Sequence, residues 1–453
     1  MGSLFGALAS TAESMRALER SVNVVQNNVA NASTPGYAKQ TQVLSANRFN
    51  PSAGLPGGVS AGVTLSSRNQ FAETSVRARQ SALGSSSQKV SDLSQVQQIF
   101  TVADGAGING ALGELFKSFS QLTVSPNDSS SRQVVLDRAQ ALAASINSAS
   151  ASLATSATTL NTQTNSTLDH VNKLVEQIAG LNKALRDDIN SSGDAGLDAQ
   201  MNSGLEQLST LVNYTAIHQP DGTVSVFFGG QTPLVLGTHQ FPVSAGFLNG
   251  GIQINNADGL DVTNQLTGGQ LSALVTEKNT VYPSYAADLN TLATSIADRV
   301  NGILQGGVDQ NGATPSTALF IYNAALGAAA TLTTNALTPD QFAAALPNAP
   351  GGNGNALNLS ALSASKEING YSFTEFYGNL ASKVGRDLST AKDDTTSNQQ
   401  LLNQAAAIRE QVSGVNLDEE AARLVQLQRG YQASSKMLTV LNEMTTTIIE
   451  LIR

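Results

Sequence analysis

The chain has 453 residues, enough for two to four domains, and contains neither cysteine nor tryptophan. Only 13% of its residues are charged, against roughly 25% in ordinary soluble domains, and 25 basic against 34 acidic side chains leave a net charge of −9. These figures exclude disulfide frameworks, thiolate metal sites and thiol nucleophiles. They also argue against a nucleic-acid partner, which needs a basic face to meet phosphates.

The first predicted element is a helix over residues 3–32. Its inward positions Leu4, Leu8, Thr11, Met15, Leu18, Val22, Val25, Val29 and Ala32 step alternately by four and three, and only Thr11 is polar. That is a heptad seam, the pattern of a helix that supercoils against other helices. Pro35 and Gly36 stop it. The stretch from Pro51 to Gly62 is rich in glycine and proline and reads as a connector. Val59, Ala61, Val63 and Leu65 alternate there as a short extended segment.

From Gln70 to about Arg186 the periodicity is helical. Val76, Leu83, Val90, Leu93, Val96 and Ile99 form one stripe, and Leu112, Leu115, Phe116, Phe119 and Leu122 a second. A turn at Ser125 to Asp128 precedes a long helix running from Val134 through Leu185. Near Thr210 the texture changes to short β-rich runs, and Pro220-Asp221-Gly222 sets a hairpin between them. Helical spacing returns at Leu271 and continues to Ile303, with Pro283 expected to kink it. Residues 305–370 are rich in glycine, asparagine, alanine and proline and give the weakest signal. A further helix covers Phe373 to Val412.

The last helix starts at Asn416, a cap residue with Glu419 three positions on, and carries Asp418, Glu419 and Glu420 in its first turn. It repeats the opening seam: Leu424, Leu427, Tyr431, Ser434, Leu438, Leu441, Thr445, Ile448 and Ile452. Isolated helices of this length are marginal in water, so two matching seams at opposite ends are expected to pair. Gly430 interrupts the last helix at a cost of about 1 kcal/mol relative to alanine, which points to a close neighbour at Tyr431 or to a helix that is weak until it is packed.

The predicted architecture is mainly α with a smaller β domain (α+β). Residues 1–50 and 413–453 give the two halves of an inner coiled-coil unit. Residues 51–210 and 269–412 give a helical bundle, and 211–268 an inserted β-rich domain.

Motifs for chemistry are thin. Gly105, Gly107 and Gly110 match G-x-G-x-x-G, but the preceding spacing is helical, so a plain turn is the better reading than a nucleotide loop. His170, His218 and His239 have no second ligand at metal-binding spacing. Asp309-Gln310-Asn311-Gly312 opens like a calcium loop that no acidic residue closes, and reads as a turn. No catalytic constellation and no cofactor are expected. No apolar run reaches the roughly 20 residues of a membrane span. Glu13, Arg16, Glu19 and Arg20 break any signal-peptide core, so neither membrane insertion nor a cleaved signal is expected.

Asn28-Val29-Ala30-Asn31-Ala32-Ser33-Thr34-Pro35-Gly36-Tyr37-Ala38-Lys39-Gln40 resembles the N-terminal signature of the bacterial flagellar rod, hook and hook-associated axial proteins. Its signature turn is Asn31, Thr34, Pro35, Gly36 and Tyr37. Within that family the turn, its basic residue and Gln40 are closest to members that join hook to filament, with Lys39 where those usually have arginine. Ser413 to Ala422, then Gln428 and Tyr431 to Ser434, resemble the same members, as do Arg132 to Ala143 and Val171 to Asn182.

The resemblance implies a structural axial protein that is not an enzyme. It implies secretion through the flagellar type III apparatus and a place at the hook–filament junction, as a base for filament growth. The terminal helices would line the axial channel and the β domain would lie outermost. Subunit and helix packing falls to Leu4, Leu8, Met15, Leu18, Val22, Val25 and Val29, and to Leu424, Leu427, Tyr431, Leu438, Leu441, Ile448 and Ile452. The implied partners are other copies of the chain, hook protein, a second junction protein or flagellin, and an export chaperone docking at Leu424, Leu427, Leu438 and Leu441. A hook or distal-rod protein is the alternative inside the family. Outside it, a secreted enzyme on an axial scaffold would need a catalytic centre, and a cytoplasmic coiled-coil scaffold would stay in the cytosol.

Overall fold

The computed structural model describes residues 2–50, 52, 55–102, 105–187 and 194–452, so Pro51, Ala53 and Gly54 of the expected connector lie outside the described residues. The chain leaves and returns to one place. Helix α1 (Gly2–Ala30) packs against the last helix, and α2 (Gln70–Gln97) runs along the penultimate one. Between them come α3 (Gly107–Val124), α4 (Ser129–Asp187), α5 (Ala195–Leu211), α6 (Gly269–Thr276), α7 (Tyr282–Gln305), α8 (Ala328–Thr331) and α9 (Gly354–Ala361). The closing pair is α10 (Phe373–Ser413) and α11 (Leu417–Ile452).

The expected long helix is real and unbroken: α4 has 59 residues, about 90 Å at 1.5 Å per residue. It spans two hydrophobic cores. Its first half joins α3, α7 and α10 around Leu142, Ile146, Phe119, Tyr285, Leu289 and Tyr377. Its second half presents Val171, Val175 and Ile178 to α5 and to the β domain.

That domain contains β5 (Tyr214–His218), β6 (Val224–Phe228), β7 (Thr232–Leu236) and β8 (His239–Gln240) in one antiparallel sheet, and a second hairpin of β9 (Ser244–Leu248) and β10 (Gly251–Asn255). The expected turn at Pro220 to Gly222 joins β5 to β6, with Gly222 at φ +84°. Two asparagines of α4 tie the sheets down. Asn182 donates to Val224 O and Gly237 O and accepts from Val224 N, while Asn172 bonds both Val243 N and Val243 O.

Three regions differ from the sequence reading. The extended segment near Val59 is one arm of a hairpin: β1 (Gln40–Ala46) pairs with β4 (Val59–Ser66), and β2 (Phe49–Asn50) with β3 (Leu55–Pro56) nearer the turn. The hairpin lies on α1. The helix expected to bend at Pro283 instead passes through a π-helical segment, Glu277–Val281, and Pro283 sits in the first turn of α7. The weakly read segment after α7 folds onto the first core. It carries β11 (Phe320–Ile321), β12 (Thr333–Thr334) and the buried Leu319, Phe342, Ala343, Ala344 and Leu359. Arg132, fully buried, holds this segment through carbonyls: its Nε donates to Pro126 O and its Nη1 to Pro339 O and Phe342 O.

Candidate functional site: the paired chain ends and their collar

The two terminal helices, α1 and α11, pack against each other. On α1, Leu4, Leu8, Met15, Leu18 and Val22 are half-buried, Val25 is 2% exposed and Val29 is 44% exposed. On α11, Leu424, Leu427, Leu438, Leu441 and Ile448 are half-buried at the same four–three spacing. Tyr431 is 38% exposed and leans off the seam. Gly430 takes its place: a Cβ there would lie 3.6 Å from Leu18 Cδ1. The side chain of Ile452 lies outside the described residues. Asn28 meets Glu420 and Leu18 meets Gly430, so moving forward on α11 moves backward on α1 and the pair is antiparallel. Most residues of both seams are thus only half-buried.

Flanking the seam of α1, one residue round the helix, is a second stripe, which hydrophobic periodicity does not show because its members are small or polar. Ser10 donates to Gly57 O, Ser14 accepts from Val59 N, and Ala17, Ser21 and Asn28 are buried along the same face. Small side chains there let the β1–β4 hairpin approach the helix closely.

At the end of the pair the signature turn builds a polar collar. Asn28 is fully buried and uses its whole amide: Nδ2 donates to Gln40 O and to Glu420 Oε2, each at 2.9 Å, and Oδ1 accepts from Gln40 N at 2.9 Å and from the Tyr37 hydroxyl at 2.8 Å. Burial pushes the Tyr37 hydroxyl up to about 12, so it stays a donor. Asn27 donates to the same hydroxyl. Asn31 and Thr34 stitch the turn back to α1, through Asn31 to Asn27 O and Thr34 to Asn31 Oδ1. Pro35 is exposed on the outside of the turn. Gly36 has φ +76°, and a Cβ on it would lie 2.4 Å from Ala199 O of α5. The turn therefore needs glycine twice over, for its dihedral and for its contact.

Lys39 lies 3.1 Å from Glu419 and 3.3 Å from Glu420, whose side chain is completely buried. Burial alone would pull the Lys39 ammonium down, but these two carboxylates outweigh it and hold it above its usual value. Asn416 caps α11 by accepting from Asp418 N and Glu419 N, while Glu419 itself reaches Lys39.

A second ring of charges binds the collar to the helical part. Arg68 donates to Asp198 through Nε and Nη2, to Glu73 through Nη1 at 2.5 Å, and to Gly36 O at 2.6 Å. Arg409 of α10 meets Glu206 at 2.7 Å and Glu73 at 3.6 Å. Ser413 ties the end of α10 to the start of α2, accepting from Asn69 N and donating to Ser67 O.

None of Asn28, Lys39, Arg68, Ser413 or Glu420 belongs to the predicted packing set. A usable signal existed for Asn28, which continues the buried face of Ser21 and Val25 at helical spacing. Its partner 392 positions away left no local trace.

The arrangement holds helices together. Among the described residues no three His, Asp or Glu side chains stand where they could hold a metal ion. His170, His218 and His239 are exposed and scattered. The glycines from Gly105 follow a helix, not a strand, and a Cβ on Gly110 would lie 2.3 Å from Gly105 C, so they serve a tight turn. Asp309 accepts from Asn311 N and Ala313 N in a closed Asx turn.

Residues 93–320 match the flagellar hook-associated protein FlgK helical domain, and residues 410–451 match the flagellar basal body rod FlgEFG protein C-terminal domain. The chain is similar to flagellar hook-associated protein 1 of Bacillus subtilis, at 28% identity over 99% of this chain and 98% of that protein. It is also similar to flagellar hook-associated protein 1 of Escherichia coli, at 21% identity over 96% and 98%. The solved flagellar hook junction protein FlgK from Burkholderia pseudomallei superposes with a TM-score of 0.66 at 17% identity, over 75% of this chain and all of that one.

Proposed function

We propose how this protein assembles from one premise: the chain belongs to the flagellar hook-associated protein FlgK family. It is a structural axial component of the hook–filament junction and not an enzyme, and it assembles with other flagellar axial proteins. Among the described residues, no helix is long and apolar enough to cross a membrane.

The carrying observation is the half-covered pair of chain ends. Beside its seam, α11 exposes a second apolar row at Met437, Val440 and Met444, each at helical spacing from the next. Exposed apolar rows of this kind mark protein contacts. In our reading the seam joins α1 to α11 within a subunit and the outer row meets neighbouring copies. Residues 1–50 with 413–453 then form the inner unit around the channel, and the β domain lies outermost. The neighbours along the axis are hook protein on one side and a second junction protein or flagellin on the other. Before assembly the face carrying Leu424, Leu427, Leu438 and Leu441 is the dock for an export chaperone.

The test separates the two faces in a strain deleted for the chain. Leu438→Asp, on the seam, should weaken both chaperone binding and assembly. Val440→Asp, on the outer row, should leave hooks without filaments and flagellin in the medium while the isolated subunit keeps its fold. Normal filaments with Val440→Asp would sink the outer-row reading. Unchanged chaperone affinity with Leu438→Asp would sink the dock.

A further inference from the structure

Three consecutive residues of the π-helical segment between α6 and α7 hold three different parts of the molecule. Asn279 clasps the β domain, donating to Ile252 O and accepting from Ile252 N of β10, both at 2.8 Å. Lys278 Nζ donates to Ala157 O of α4 at 2.9 Å. Glu277 points the other way, into the helical bundle, where it is 2% exposed and its Oε2 has no hydrogen-bond partner. A π-helical turn widens the backbone by one residue and is found frequently at functional sites.

The surroundings of Glu277 are wrong for a carboxylate. Asp92 of α2 is equally buried, and its oxygens are met by the neutral amide of Gln88. Asp387 of α10 accepts from the Tyr285 hydroxyl at 2.6 Å, and the Tyr282 hydroxyl donates to Asp92 O. Lys89 of α2 is the cation that acts on Glu277, while α6 and β10 carry no ionisable side chain. Lys278 is committed to α4, and Lys383 to Asp288. Neither Glu277 nor Asp92 has an ion pair among the described residues.

We infer that Glu277 is a proton-operated pin: protonated, it fills the bundle and holds the π-segment that seats the β domain; ionised beside Asp92 and Asp387, it loosens that segment and frees the clasp on β10. Burial first, then the charge of Asp92, push Glu277 up to about 8, and burial pushes Asp92 to about 6. The folded form thus holds protons that the unfolded chain has already released. Between the ordinary carboxylate range and about pH 8, folding stability must fall as pH rises.

The experiment is thermal unfolding of the full chain at pH 6 and pH 9, with amide exchange on β10 corrected for intrinsic rate. The wild type should melt about 3 °C lower at the higher pH and should lose protection at Ile252 and Ile254. Glu277→Gln, neutral at both, should keep most of both. An equal drop in the two proteins would overturn the pin. A drop abolished by Glu277→Gln while β10 protection never changes would overturn the link to the β domain. Should that variant fail to fold, Asp92→Asn carries the test: removing the neighbouring charge must move the step to lower pH, and an unmoved step overturns the assignment.

Discussion

At the scale of single residues, Asn28 is where the two ends of the chain become one object. It sits at the last turn of α1, touches the start of β1 and reaches the first turn of α11, and every donor and acceptor of its amide is used. Removing one partner of a buried network costs more than the bond itself, because the groups left behind stay dry. Asn28→Ala would orphan both polar groups of the Gln40 backbone and strip Glu420 of its neutral donor. We expect a loss of about 3 kcal/mol in the local stability of the paired ends. Amide exchange across residues 40–46 and 417–424 is the check, and protection equal to wild type would show that water replaces the side chain at no cost. Lys39 cannot make up the loss, because it already meets Glu419 and Glu420.

At the scale of elements, what was legible follows what each helix buries. The long helices were readable because they bury apolar stripes, and four–three spacing survives in sequence. The β1–β4 hairpin was not, because its buried residues include Gln40 and Gln42 while Leu44, Val63 and Leu65 face outward, so the apolar alternation points the wrong way. The segment after α7 hid for another reason. It is buried through short pieces and alanines, and its backbone is satisfied by side chains such as Arg132 rather than by ladders. On α11 the heptad count placed Tyr431 in the seam, whereas the helix turns Gly430 toward Leu18. This gives a prediction for the element. Gly430 is helical, and an added Cβ would meet Leu18 at 3.6–3.7 Å, an ordinary contact. Gly430→Ala should therefore stabilise the terminal pair by about 1 kcal/mol, the difference in helix propensity. A lowered melting temperature would show that the close approach of Leu18 leaves no room for the added methyl.

At the scale of the whole molecule, stability is unevenly distributed, and its distribution matches a subunit that finishes folding on assembly. Both large cores lie between α2 and α10, and no residue of α1 or α11 belongs to either. The terminal pair extends from the collar with one half-buried seam, a hairpin on one side and an open apolar row on the other. Elements with few buried apolar contacts open at the smallest free-energy cost, and a partner that binds only the closed form adds stability by mass action. Trypsin should therefore attack the isolated subunit first at Arg16 and Arg20 on α1 and at Arg429 and Lys436 on α11, all exposed. The resistant product should begin near Arg68 and end near Arg409, where the second ring of charges and Ser413 close the helical part. In assembled junctions the same four bonds should resist, since neighbours would cover the outer row. Early cleavage inside α4 or the β domain would show instead that the collar, and not the cores, is the most stable part of the molecule.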